Sequence, residues 1–325
     1  MATVLDTAIL LGKESTYGTP ASLTDAFEGK ADTFTFQREM IDSVGFRGGA
    51  HALRSDRRVD ISMGGEGSLE IDVLSTGFGF LLQSMLSTVA GPTQEGATTA
   101  YTTTATSGSD ANSDSYTVQI QRVNTAGTLQ SFTHHGGVIT GWNLSQEVGG
   151  LFTANLDFDF EDVDTATADG TPAYAASNFP FDWTMACATV DGVSHDLRSM
   201  SLDADLGYKT DRRFLRCSAL KKQPVRSNVP SYSGEITLDW ENNTLYDNFV
   251  AGDIVPIVMT WDSGVEAGTG FNYKVEVTLA ACQFSGNEPV ASLGDVPSLS
   301  LPFTVLHNGT DPAVEITYTS TDTAL

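Results

Sequence analysis

The chain of 325 residues carries 41 Asp and Glu against 17 Lys and Arg, a formal charge of −24 at pH 7. That acidity excludes a nucleic-acid binder that works by neutralising phosphates, which needs clustered basic side chains. An apolar share of 40% with 9% aromatics is enough to build packed cores, and the length suggests about two domains. The first residues, up to Gly18, hold a short apolar stretch with no basic segment before it and no small-residue cleavage pattern after it. No secretion signal is therefore expected, nor a membrane span, since no apolar run approaches about 20 residues. A soluble protein made in the cytosol follows.

In chain order the elements alternate with period two: Thr33-Phe34-Thr35-Phe36, Leu69-Glu70-Ile71-Asp72-Val73 and Tyr116-Thr117-Val118-Gln119-Ile120-Gln121. The same alternation recurs in Leu156-Asp157-Phe158-Asp159-Phe160, Ile236-Thr237-Leu238-Asp239-Trp240 and Tyr273-Lys274-Val275-Glu276-Val277. One apolar face per segment marks half-buried antiparallel strands. Two segments read as helices: 77–88, with Phe78, Leu81, Leu82 and Met85 on one face, and 243–251, with Leu245 and Phe249. A hairpin turn is expected at Asn124-Thr125-Ala126-Gly127. The fold class is mainly β.

The pattern also repeats. Residues 67–73 overlay 234–240 at a shift of 167, and the same shift puts Phe78 on Leu245 and Leu82 on Phe249. Phe34 and Phe36 match Met200 and Leu202 at 166; Leu151, Leu156 and Phe158 match Val296, Leu301 and Phe303 at 145. The difference is taken up by a Ser/Thr/Gly-rich insert, 94–115. A duplication is expected, with halves 1–170 and 171–325 joined through the Ala/Thr/Gly-rich stretch 165–178.

Each half holds a connection far longer than a hairpin needs, between Met40 and Ser68 and between Leu206 and Glu235. Segments 44–64 and 207–231 carry Arg47, Arg54, Arg57, Arg58, Lys209, Arg212, Arg213, Arg216, Lys221, Lys222 and Arg226, eleven of the seventeen basic residues. Only Asp56, Asp60 and Asp211 oppose them there. Basic loops on an acidic body are self-complementary when copies meet, and the apolar Val44, Phe46, Leu53, Tyr208, Phe214 and Leu215 suit an interface. Head-to-tail contacts of this kind build open filaments where the rotation does not close. Charge reversal of Arg212, Arg213 and Arg216 is expected to block them.

No catalytic constellation is present: no nucleophile elbow, zinc-helix motif or phosphate loop occurs. His134 and His135 are neighbours on a strand and point to opposite faces, so they read as polar strand residues rather than a metal site. Residues 157–164 lack the glycine and spacing of a calcium loop. Cys187 and Cys282 read as core residues. No cofactor and no metal are expected.

The run Leu11-Gly12-Lys13-Glu14-Ser15-Thr16-Tyr17-Gly18-Thr19-Pro20, with the strand, long loop, strand, helix order, resembles the tail tube proteins of long-tailed bacteriophages. The resemblance implies tandem β-sandwich or split-barrel domains whose sheets join edge to edge into rings that stack into a hollow tube. A duplicated chain looks like the variant in which three subunits make a pseudo-hexameric ring; a hexameric ring is the alternative. It implies that the long loops reach the adjacent ring, that the lumen is acidic and passes the genome, and that tape measure and terminator proteins are partners. It also places the protein in the virion tail, assembled in the host cytoplasm. Glu70, Asp72, Glu235 and Asp239 are candidates for the lumen face. Another virion component, such as a tail tip or decoration protein, is an alternative. So is a carbohydrate-binding adhesin with Trp142, Trp183, Trp240 and Trp261 as a platform; the match of Trp240 with Val73 instead favours a core position.

Overall fold

A computed structural model describes residues 3–49, 51–108, 114–175, 177–286, 288–289, 293 and 296–325. The first half runs β1 (Ala8–Lys13), β2 (Asp25–Phe27), β3 (Gly29–Asp32), β4 (Thr35–Asp42), β5 (Arg58–Asp72), α1 (Gly79–Met85), β6 (Thr88–Gln94), β7 (Tyr101–Thr106), β8 (Tyr116–Val123), β9 (Leu129–Glu147), β10 (Thr153–Phe160) and β11 (Asp162–Asp164). The second runs β12 (Ala186–Val190), β13 (Val193–His195), β14 (Leu197–Asp205), β15 (Tyr208–Lys209), β16 (Val225–Arg226), β17 (Ser231–Asp239), α2 (Thr244–Ala251), β18 (Ile254–Gly268), β19 (Phe271–Phe284), β20 (Ser298–Val305) and β21 (Val314–Ser320). The alternating segments lie on strands, with Thr33 and Phe34 in the break between β3 and β4, Val73 just past β5 and Trp240 just past β17. The insert 94–115 is largely the β6–β7 hairpin; its residues 109–113 lie outside the described residues. Asn124 makes the expected turn, its side chain accepting from the N–H groups of Ala126 and Thr128.

The strands form two layers. One is an antiparallel sheet in the order β4–β5–β10–β9–β14–β17–β20, which takes strands from both halves. The other is made by β2–β1–β8–β9–β11 and by β13–β12–β18–β19–β21–β7–β6. Strand β9 serves both layers: its first part pairs with β8 and its second with β10 and β14. The apolar faces meet between the layers, where Leu69, Ile71, Leu156, Trp142, Ile236 and Leu301 are buried. Helix α1 is buried almost all round and lies under Trp142, whose indole N–H donates to the Met85 carbonyl at 2.8 Å. Of α2 only Leu245 is buried. The halves share one core, since Phe152 stacks on Trp261 at 3.7 Å between ring centroids.

The ladders repeat in register. Leu69 lies opposite Leu156, and Ile236 opposite Leu301. On the other side of these strands the sequence match is off by two residues: Asp32 faces Leu69 where Met200 faces Ile236. Phe34 rather than Phe36 therefore stands where Leu202 does. Side chains on one strand face recur every second residue, so a slip of two leaves the apolar pattern unchanged.

Two sequence expectations fail. Trp240 is 41% exposed while Val73 is fully buried: each stands one residue past its strand, but Val73 is bonded on both sides, to Phe152 and Phe181, whereas Trp240 is held by its N–H to the Pro297 carbonyl. Cys187 is exposed: on β12 it alternates with the inward Ala188. Cys282 is buried, and burial pushes its thiol up to about 12.

His134 is buried between Phe34 and Phe160, at 5.0 and 4.6 Å between centroids, with Nδ1 3.2 Å from the Val118 carbonyl. Burial, more than any neighbour, holds the imidazole down at about 4. From about pH 6.5 to 4 the unfolded chain takes up a proton that the folded chain refuses, so stability falls on acidification by up to about 1.4 kcal/mol per pH unit. Above pH 6.5 the group contributes nothing. Urea titrations between pH 4 and 8 should show His134→Phe losing this part of the slope.

Candidate functional site

The run from Lys13 to Gly18 is a structural clasp. The Glu14 carboxylate is buried and accepts from the Gly18 N–H at 2.9 Å, the Ser115 hydroxyl at 2.8 Å, the Thr117 hydroxyl at 3.0 Å and the Gly136 N–H at 2.9 Å. It ties the loop after β1 to the start of β8 and to β9. Gly18 has φ +73°, and a Cβ there would lie 2.2 Å from a carboxylate oxygen of Glu161, so no other residue fits without moving that acid. Since donors bonded to a charged acceptor are left unpaired when it is removed, Glu14→Ala is expected to lose about 3 kcal/mol or more, read as a lower urea midpoint.

The outer face of the mixed sheet is polar and acidic. Glu70, Asn155, Asn143, Asp203 and Ser233 follow one another across β5, β10, β9, β14 and β17, strand by strand. One row along lie Asp72, Thr153, Ser145, Ser201 and Glu235. Glu70, Asp72, Glu235 and Asp239 thus share one face, opposite the buried Leu69, Ile71, Ile236 and Leu238. Lys30 lies 2.5 Å from Asp72 and 3.9 Å from Glu70, Arg198 pairs with Asp239, and the Ser300 hydroxyl donates to Glu235. The face also holds Asp157, Asp203 and Asp205. The signal for the last two was legible, because Ser201-Leu202-Asp203-Ala204-Asp205-Leu206 alternates as strictly as any segment in the chain.

The two long connections differ. In the first, β5 begins at Arg58, so 58–64 is strand rather than loop, and β4–β5 is a projecting ribbon closed by Ser43 N–H to the Arg57 carbonyl at 2.9 Å. Phe46, Val44 and Leu53 are exposed, Phe46 completely. Arg54 pairs with Asp56 and Arg58 lies 3.6 Å from Asp42; Arg47 and Arg57 have no ion-pair partner among the described residues.

The second connection is docked on the first half. Lys221 is buried, pairs with Asp159 of β10 and donates to the Gly65 carbonyl at 3.1 Å. Met63 N–H donates to the Ala219 carbonyl at 3.1 Å. Gly64, at φ +143°, leaves room for the Lys221 chain: a Cβ would stand 2.8 Å from its Cε. Burial raises Asp159 to about 6, against the pull of Lys221. Arg216 reaches Glu161 at 3.4 Å and the Leu220 and Lys221 carbonyls, and Arg226 bonds to Leu206, Gly108 and Ser87. Arg212 bonds to the Gln223 carbonyl at 2.6 Å, and with Lys222 it flanks the Phe214 ring; Arg213 lies 3.5 Å from the Met63 carbonyl, and Lys209 2.9 Å from Asp211. Lys221, Arg216 and Arg226 are thus anchors within the chain rather than charges held out to another copy. A charge count along the sequence sees the sign of these residues but not the acids that meet Lys221 and Arg216 from 62 and 55 positions away.

Trp142 and Trp261 are buried while Trp183 and Trp240 are exposed, so the four tryptophans make no common platform. Among the described residues no group of three or more His, Cys, Asp and Glu is placed to hold a metal ion, and no helix is long and apolar enough to cross a membrane. A family model described as phage tail tube protein matches residues 5–305. No curated protein matches the chain.

Proposed function

The chain belongs to the phage tail tube protein family, and from that premise we propose that it polymerises into stacked rings forming the hollow tube through which the viral genome passes. It is a structural component of the virion tail and not an enzyme. The observation that carries the proposal is the single acidic face running across strands of both halves. Placed toward the lumen, such a face repels phosphates, so DNA slides along it without the counterion release that makes basic channels sticky. Glu70, Asp72, Glu235 and Asp239 would then line the tube.

We read the halves, 1–170 and 171–325, as two copies of one tube domain. Support comes from the shared ladder register, Leu69 with Leu156 and Ile236 with Leu301, and from a short helix after β5 and after β17 alike. Three chains then supply six tube domains, a pseudo-hexameric trimer, where a hexameric ring needs six chains. Edges that would otherwise be open are removed when sheets close into a ring. Assembly in the host cytoplasm, and contact with tape measure and terminator proteins, belong to the same reading. Negative-stain microscopy of the purified protein should show rods of uniform diameter, with three-fold or six-fold end views. Single particles at every salt and protein concentration would overturn it.

A further inference from the structure

The mixed sheet has two chemically different ends. Four antiparallel steps separate β5 from β17, so the two strands run in the same direction. The basic ribbon enters β5 at Arg58, and β17 leaves the opposite end at Asp239 and Trp240. At that far end lies a cavity of about 290 Å³ lined by Leu238, Leu245 and Trp240 and rimmed by Asp196, Asp239 and Glu241. Arg198 also lines it but is paired with Asp239. Asp196 and Glu241 are exposed and have no ion-pair partner among the described residues. From 239 to 253 the chain carries four acids and no Lys or Arg.

We propose that this cavity is the socket for the ribbon of a second copy, with the Phe46 ring against Trp240 and the Arg47 guanidinium toward Asp196 and Glu241. The occupant is set by charge and shape together. Phe46 is a fully exposed aromatic beside an unpaired cation, and the cavity is a hollow with Leu238, Leu245 and Trp240 in its wall and an anionic rim, on the same chain at the other end of the same sheet. A contact between unlike surfaces is heterologous and propagates head to tail, and an aromatic anchor filling a pocket carries more of an interface than rim charges do. The inference rests on the tube reading and names the surfaces that join one copy to the next.

The test uses the full chain with Cys187→Ser and Cys217→Ser as background. Gly45→Cys protein mixed with Glu241→Cys protein, which keeps both aromatic rings, and oxidised mildly should give covalent dimers, while each alone gives none. Asp196→Cys substitutes where Glu241→Cys folds poorly. Phe46→Ser should raise the protein concentration needed for rods at least tenfold, with the far-ultraviolet circular dichroism unchanged. Rods in the background protein without dimers in the mixture, or rods from Phe46→Ser at the usual concentration, overturn the socket and leave the tube reading standing. A background protein that forms no rods under any condition removes both.

Discussion

Lys221→Met is expected to lose about 3–5 kcal/mol of folding stability, more than any substitution among the exposed basic residues. Removing one partner of a buried ion pair leaves the other charge without compensation, and here the survivor is Asp159, which is 7% exposed. The deficit should depend on pH in a set direction. A carboxyl whose folded pKa lies above its unfolded value contributes stability that is present below the unfolded value, near 3.8, and lost as pH rises through the folded value, about 6 in the intact protein. Without Lys221 the folded value rises further, so the deficit of the variant should be smaller at pH 5 than at pH 8. Lys221→Met with Asp159→Leu should recover most of the loss, because an apolar pair of similar volume removes both charges. Urea unfolding of the three proteins at two pH values decides it; a deficit under 1 kcal/mol at pH 8 means that the loop is not held by this pair.

Reversing the charge of the ribbon, Arg47→Glu, Arg57→Glu and Arg58→Glu together, should abolish rods under conditions in which the parent chain forms them. These side chains are exposed, and exposed surface changes usually alter stability by no more than about 0.5 kcal/mol, so the folded monomer should persist. Parent rods should shorten as salt is raised, because contacts between exposed charges are screened. Rods of normal length from the triple variant would show that the ribbon charges play no part in assembly. Arg216→Glu is not an equivalent test: it sets a second carboxylate beside Glu161 and gives up two backbone carbonyls, so it should damage the fold first.

Much of the architecture was legible along the chain. Alternation located β4, β5, β8, β10, β17 and β19, apolar spacing located both helices, and the common shift of 167 brought Leu69 and Ile236 into correspondence, where the ladders agree. The limits were of two kinds. A two-residue slip is invisible to a period-two pattern, so the sequence alone cannot choose between Phe36 and Phe34 as the counterpart of Leu202. Burial just past a strand depends on what packs there: Phe152 and Phe181 bond Val73 on both sides, and the sequence around Trp240 carries no sign that its position lacks such a cover. Asp203 and Asp205 could have been found from their alternation, and they extend the acidic face across the junction of the halves.

Composition and periodicity by themselves determined that the chain is mainly β and acidic, and that eleven of its seventeen basic residues fall in two segments. Those properties follow from the order of residue types and need no long-range contact. Only the tertiary structure decided that the connections differ. One is a free ribbon, and the other is pinned by a lysine whose partner, Asp159, comes from a distant strand of the other half. Sequence shows a charge, but the dielectric and the counter-charge around it are set by what the fold packs against it, and these decide whether an arginine or lysine faces solvent or closes the protein's own core.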